Sequence, residues 1–130
     1  MPSLHFRTSV VLALVAAGLM LWMTATHDFR ALPAATLLNV LGWASFMIYG
    51  LYYHAAAGGS AGLARLHYFV ALAGVVVEAI GIAGTEWGNP FFDPIRIIGA
   101  LIVAVGFILF AIIVLGTQRT EARERRSGSF

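Results

Sequence analysis

The chain has 130 residues, of which 60% are hydrophobic and 11% are charged, with a formal net charge of +2. Soluble domains carry about 25% charged residues, so this composition excludes an ordinary water-soluble domain. The absence of cysteine excludes disulfides, thiolate metal sites and cysteine nucleophiles. Arginines account for the basic excess and sit beside apolar segments, so we expect no nucleic-acid partner.

Four apolar stretches predict four transmembrane helices, at about 8–26, 33–54, 65–84 and 95–117. Each is close to the roughly 20 residues that a helix needs to cross a hydrocarbon core about 30 Å thick. The connections are short, which makes sequential helices antiparallel neighbours. We therefore predict an all-α, integral membrane four-helix bundle over residues 1–117, with up-down-up-down topology, followed by a charged cytoplasmic tail at 118–130.

The arginines predict the orientation of this bundle. Four crossings put both termini and the second loop on one side of the membrane. That side holds six arginines, at 7, 65, 119, 123, 125 and 126, whereas Arg30 and Arg96 lie on the other. By the positive-inside rule, both termini are cytoplasmic. We expect a multi-pass protein of a bacterial inner membrane.

The first two helices bring polar residues to both boundaries. His5 and His54 lie near the cytoplasmic boundary, together with His67 of the third helix, and His27 lies at the outer end of the first helix. Imidazoles at such positions have two interpretations. They are amphipathic boundary residues, or His54 and His67, which flank one short loop, ligate a haem.

The third helix carries Glu78, the one carboxylate inside the predicted spans. A carboxylate at this depth is costly and usually faces the interior of a bundle. Asn39 and Arg96 reach comparable depths from the outer side, which predicts an intramembrane polar site formed with Glu78. Three roles stay open for that site: a structural contact, handling of protons or ions, and contact with a cofactor, quinone, lipid or partner helix.

Glycines recur at heptad spacing in the last two helices, at Gly74 and Gly81 and at Gly99 and Gly106. Small residues in such a strip let helix backbones approach closely in lipid. The strips predict packing within the bundle or a contact between copies. The loop before the fourth helix contains prolines and aromatic residues and predicts an outer docking surface, formed by Trp87, Phe91 and Phe92.

Two segments carry a resemblance to a known family. The second helix reads Pro-Ala-Ala-Thr-Leu-Leu-Asn-Val-Leu-Gly-Trp from Pro33, and Ala64-Arg65-Leu66-His67-Tyr68 opens the third. The chain from about Leu32 to Gly84 resembles the small four-helix bacterial membrane proteins related to subunit I of cbb3-type haem-copper oxidases. Those proteins have histidines in the second-helix motif at the positions that Ala35 and Leu37 occupy here. Neither side chain can ligate iron.

The resemblance therefore implies a scaffold from which the haem ligand is missing. Because oxidase subunit I consists of three four-helix units, it also implies a homotrimer or packing against a larger subunit. We expect a non-catalytic accessory subunit of a larger respiratory or redox membrane complex, or a homo-oligomer, with no cofactor. Two alternatives are an electron-transfer protein that binds haem b or a quinone, and a small proton-coupled transporter or channel that uses Glu78.

Overall fold

The computed structural model describes residues 2–56 and 59–128. Residues 1, 57–58 and 129–130, which belong to the predicted four-helix domain and tail, lie outside the described residues. Within the described residues the chain is helical and has no strand. The four long helices are Pro2–Thr26, Leu32–Ala55, Ala61–Glu86 and Asp93–Ser127, and a 3₁₀ turn, Pro90–Phe92, precedes the fourth. All four are long and apolar enough to cross a membrane, which confirms the all-α fold class.

The helices extend beyond the predicted apolar spans. The first begins at Pro2, and the fourth continues to Ser127, through the charged segment after residue 117. Hydropathy marks the part of a helix that lipid can cover, whereas the helix itself ends where the backbone hydrogen bonds end. The first helix ends at Thr26, and the next residue, His27, has a φ of 54°, the left-handed conformation of a helix C-terminal cap.

The second helix contains a seven-residue π-helical segment, Leu38–Ala44. Its wider turn is also visible in a side-chain contact, because the Ser45 hydroxyl donates to the Val40 carbonyl, five residues earlier, at 3.0 Å. π-helical segments inside α-helices are rare and are frequent at functional sites. The segment includes Asn39 and Trp43, so it shapes one outward face of the bundle.

The helices pack as two hairpins. The first helix packs against two glycines of the second. A Cβ added to Gly42 would lie 3.1 Å from the Leu12 side chain, and a Cβ added to Gly50 would lie 2.8 Å from the Phe6 ring. The third and fourth helices pack through glycines that each face the backbone of the other helix. The facing pairs are Gly74 with Val103, Gly81 with Arg96, Gly99 with Glu78 and Gly106 with Ala71.

A cluster at one end, which we call the tryptophan end, connects the two hairpins. Trp22 of the first helix and Trp87 after the third have ring centroids 5.9 Å apart. The Arg30 guanidinium lies 5.5 Å from the Trp87 ring centroid and binds both carboxylate oxygens of Asp28, with Nε at 2.9 Å from Oδ1. These hydrogen bonds lower the pKa of the half-buried Asp28 carboxyl to about 2.

Candidate functional site: a buried histidine–tyrosine cluster

Three polar side chains are fully buried at the opposite end of the bundle, which we call the histidine end. His5, Ser9 and His67 each have 0% exposure. His5 and Ser9 are one turn apart on the first helix, and His67 lies on the second turn of the third. Polar groups are seldom removed from solvent so completely unless they are hydrogen bonded or functional, which makes this the candidate site.

Two hydrogen bonds between helices hold these residues. The Tyr53 phenol, near the end of the second helix, lies 2.9 Å from His67 Nδ1. The Thr8 hydroxyl lies 2.6 Å from the Tyr68 phenol and joins the first helix to the third. With Tyr49, these residues form what we call the histidine cluster: His5, Thr8, Ser9, Tyr49, Tyr53, His67 and Tyr68.

Aromatic rings cover both faces of His67. The His5 and His67 rings are nearly parallel, at 18°, with centroids 6.3 Å apart. Phe110 of the fourth helix stacks on His67 at 5.3 Å, and Tyr49 meets it edge-on at 4.6 Å. All four helices therefore contribute a side chain to the surroundings of this imidazole. The packing fixes the ring plane, so only its nitrogen atoms offer an interaction.

The histidine cluster has unused hydrogen-bonding capacity. Within the described residues, His67 Nε2 and Ser9 Oγ are buried without a hydrogen-bond partner. An imidazole nitrogen can exchange a proton, accept a hydrogen bond or ligate a metal ion. The described residues contain no group of three or more His, Cys, Asp or Glu side chains that could hold a metal ion. The buried imidazole and hydroxyl groups of the cluster can take part in hydrogen bonding and proton exchange.

Only part of this site is predicted from the sequence. The sequence predicts His5 as a boundary residue and His67 as a boundary residue or haem ligand, and it indicates no role for Ser9. All three are fully buried. A usable signal existed in the sequence. His5 and His67 occur near the starts of the first and third helices, which run parallel in an alternating bundle, and four tyrosines lie at the same level. These residues are buried because the first and third helices lie close together, and no local sequence pattern indicates that contact.

The residues that resemble the oxidase motif do not fit a haem. Ala35 is fully buried against Met23 and Ala31, and Leu37 packs at the edge of the core. His54 is exposed at the end of its helix, while His67 is enclosed by aromatic rings and lines none of the three cavities described in the structure. A haem would have to displace this packing, so we derive no step through it.

The structure does not join Glu78, Asn39 and Arg96 by hydrogen bonds. The Asn39 amide donates to the Ala35 carbonyl of its own helix at 3.2 Å, and Arg96 is exposed. Glu78 faces Gly99 of the fourth helix, and its Oε2 is buried without a hydrogen-bond partner among the described residues. Asn39 therefore lies apart from the Glu78 carboxyl in the seam, whereas Arg96, whose backbone faces Gly81 in the same seam, interacts with Glu78 through its charge and without a hydrogen bond.

Asn39 and Trp43 form an outward face on the π-helical segment, which we call the helix-2 face. They are one turn apart, Asn39 is exposed and Trp43 is 44% exposed. They lie about 10 and 16 Å along the helix from Leu32, so a helix that crosses a hydrocarbon core about 30 Å thick from Leu32 would hold both of them inside that core. Neither makes a hydrogen bond to another helix within the described part of the chain.

The three residues of the predicted outer docking loop have different environments. Phe92 packs inward, since a Cβ on Gly84 would overlap its ring. Trp87 contacts Trp22 and the Arg30 guanidinium. Phe91 is 69% exposed and is the most exposed of these three side chains.

A cavity of about 550 Å³ opens at the histidine end, and we call it the cup. Every helix contributes to its wall, as Pro2, Tyr53, Ala64 and Ile113 illustrate. Tyr53 is also the hydrogen-bond partner of His67, so the cup adjoins the histidine cluster.

The fold and these sites define an all-helical chain with four helices suited to crossing a membrane, compatible with a multi-pass membrane protein. No family model, curated protein or solved structure matches the chain. Its function therefore has to be argued from its own residues.

Proposed function

We propose that this chain is a non-catalytic subunit of a larger respiratory or redox membrane complex, or of a homo-oligomer, and that it binds its partner through the helix-2 face. The observation that carries the proposal is the exposure of Asn39 and Trp43 at a depth where lipid would surround them. Beyond its bond to the Ala35 carbonyl, the Asn39 amide keeps a second N–H and its oxygen, and the Trp43 indole keeps its N–H. Hydrocarbon cannot supply hydrogen-bond partners for these groups. A neighbouring protein helix with polar groups would supply them.

Placement of tryptophan strengthens the argument. Tryptophan is enriched at the membrane–water interfaces, where its ring is amphipathic and its N–H meets water. Trp22 and Trp87 fit that pattern at the tryptophan end, whereas Trp43 lies near the middle of its helix. A large ring, half exposed at the centre of a helix, is the kind of side chain that anchors protein interfaces.

The proposal includes the up-down-up-down topology, with both termini in the cytoplasm of a bacterial cell. The contacts support alternation, because the first helix starts and the second ends at the histidine end, where His5 and Tyr53 rings are 5.1 Å apart. The third helix starts there as well, with His67. The charge of the loops supports the orientation, since six of eight arginines fall on the side of the termini.

The test is capture of partners by a tagged chain from the membranes of its own cells. We expect Asn39→Leu with Trp43→Phe to release the captured subunits while the variant still inserts and folds. Thr24→Val is the matched control, because this exposed hydroxyl donates to its own helix at Met20 and its loss should change nothing. Capture that survives the double substitution, or that Thr24→Val also abolishes, would contradict the proposal.

The size and spectrum of the captured assembly distinguish the two forms of the proposal. A particle containing other subunits, with haem absorption that disappears when this chain is isolated, indicates an accessory subunit. A particle built only of this chain, whose mass falls to that of a single copy in the double variant, indicates a homo-oligomer. A reduced-minus-oxidised signal that stays with the isolated chain would support the haem-binding alternative instead.

A second candidate function is proton-coupled transport, and one observation favours it. Glu78 Oε2 lacks a hydrogen-bond partner within the described residues, and its helix is long and apolar enough to cross a membrane. Intramembrane carboxyl groups often take part in proton transfer. However, the surrounding seam is filled by glycine-mediated backbone contact with the fourth helix, which leaves no described path to Glu78.

A further inference from the structure

The cup has the dimensions of a small-molecule site. Its volume of about 550 Å³ falls within the range of roughly 300–1,000 Å³ that such sites occupy. It lies at the end of the bundle where the first helix begins and the second ends, so it is reached from the headgroup region. Aliphatic and small side chains form most of its wall, with Leu63 and Ile113 as examples.

The lining of the cup carries hydroxyl groups and, among the described residues, no charged side chain. Two of the hydroxyls are committed to their own helix, since Thr117 donates to the Ile113 carbonyl and Thr120 to that of Gly116. Ser60 differs, because its oxygen accepts from the Leu63 N–H and its own hydrogen stays available. An ionised ligand would lose hydration here without meeting an opposite charge.

Tyr53 connects the cup to the buried imidazole. Its phenol oxygen lies 2.9 Å from His67 Nδ1, and a phenol can accept one hydrogen bond while donating another. When His67 carries its proton on Nδ1, it donates to the Tyr53 oxygen, and the Tyr53 hydrogen is then free to point into the cup. Tyr53 and Ser60 therefore offer two donors to the cup, and the Tyr52 hydroxyl, which also lines it, is buried without a hydrogen-bond partner among the described residues.

From this arrangement we propose that the cup binds an uncharged, membrane-soluble molecule whose carbonyl oxygens accept hydrogen bonds from Tyr53 and Ser60. Two kinds of membrane molecule share that chemistry, an isoprenoid quinone and a glycerolipid with its ester carbonyls. His67 acts as a positioning residue, because it orients the Tyr53 phenol without touching the ligand. The site belongs to the chain itself and does not depend on the partner argued above.

The first experiment measures binding of two probes to the purified full chain in dodecyl maltoside. One probe is a benzoquinone with a decyl tail, and the other is dioctanoylglycerol. We expect one of them to bind saturably with one molecule per chain. Saturable binding of the quinone alone assigns the site to quinones, and that of the diacylglycerol alone assigns it to glycerolipids. Failure of both to saturate would overturn the proposal.

Variants locate the site. Gly116→Leu fills the cup, because a Cβ there meets no atom within 4 Å and the longer side chain extends into the cavity. We expect it to weaken binding at least 10-fold. Gly18→Leu is the matched control, since Gly18 is also helical, exposed and free of neighbours within 4 Å, but lies outside the lining of the cup. Equal loss in both variants, or in neither, would overturn the proposal.

The hydroxyl contribution is tested by Tyr53→Phe and by photolabelling. Loss of one neutral hydrogen bond predicts binding weaker by about 3- to 10-fold. Photolabelling of the unaltered chain with a diazirine-bearing analogue of the binding probe tests the same site without any substitution, so its result does not depend on whether a variant folds. We expect labels on peptides that contain Tyr53 or Gly116. Labels confined to the helix-2 face or the tryptophan end would overturn the proposal.

Discussion

The Thr8 hydroxyl and the Tyr68 phenol lie 2.6 Å apart and join the first helix to the third. This hydrogen bond spans the two hairpins at the histidine end, where the rings of the histidine cluster fill the space between them. It belongs to a site whose other polar atoms are only partly satisfied. Its removal should therefore affect how the hairpins dock more than how each one forms.

Tyr68→Phe and Thr8→Val should each lower the free energy of unfolding by about 1 kcal/mol, since each leaves the other hydroxyl without its partner. The double variant should lose little more free energy of unfolding than either single variant, because both substitutions remove the same hydrogen bond. Unfolding by a denaturing detergent in mixed micelles measures these differences. Thr24→Val should change stability by less than about 0.5 kcal/mol, because its hydroxyl is exposed and bonds its own helix. Additive losses at Thr8 and Tyr68 would argue against the hydrogen bond.

Gly99→Ala should destabilise the chain by about 1–3 kcal/mol, because a methyl group at this position would overlap the backbone of Glu78 and force the helices apart. Gly18→Ala tests the same chemical change in open space. It should be neutral or stabilise the chain by up to about 1 kcal/mol, since alanine favours the helical conformation. Comparable effects of the two substitutions would show that the third and fourth helices do not pack as described.

The Asp28 carboxyl should titrate near pH 2, and Arg30→Gln should return its pKa toward the ordinary value of 3.8. A pKa lowered in the folded state stabilises folding above about pH 3.8, and that contribution disappears as the pH falls through about 2. Carboxyl carbon NMR shifts measure both midpoints. Asp28→Asn should accordingly cost stability at pH 6 and cost little at pH 2. If Arg30→Gln leaves the titration midpoint of Asp28 unchanged, the ion pair is not the cause of its lowered pKa.

Glu78→Gln separates the proposed subunit from the alternative transporter. The side chain lies in the seam between two helices of the same chain, so the variant should keep its captured partners. Proteoliposomes that contain the chain alone should take up no more protons than liposomes without protein, with or without the substitution. A pH-sensitive dye inside the vesicles measures this uptake. Proton uptake that Glu78→Gln abolishes would establish the transporter instead.

His27→Gly should stabilise the first helix by about 1 kcal/mol, since a side chain in the left-handed conformation costs about 1–2 kcal/mol and glycine avoids part of that cost. Thermal unfolding in detergent gives the difference. His54→Gly is the control, because His54 lies within the last turn of a regular helix and its replacement should destabilise. A loss of stability in His27→Gly would show that the imidazole itself holds the loop.

Hydropathy alone predicts the four helices, because lipid contact demands apolar residues over a fixed length. The glycine strips point to close packing for the same local reason, and the structure has Gly74, Gly81, Gly99 and Gly106 in the seam of the second hairpin. The burial of His5 and Ser9 could not be read from the sequence, since it depends on which faces of two separate helices meet. Nor does the π-helical segment have a local signature in the residues 38–44.

The fourth helix runs for 35 residues, about 52 Å, whereas the hydrocarbon core is only about 30 Å thick. A helix of this length that crosses the core would extend about 22 Å beyond it, so its charged end would form a continuous rod outside the lipid. A tilt of about 5° would move Arg126, about 50 Å from Asp93, sideways by about 4 Å. Because the helix is unbroken, any change in its angle to the third helix would be larger in distance at the charged end than in the seam.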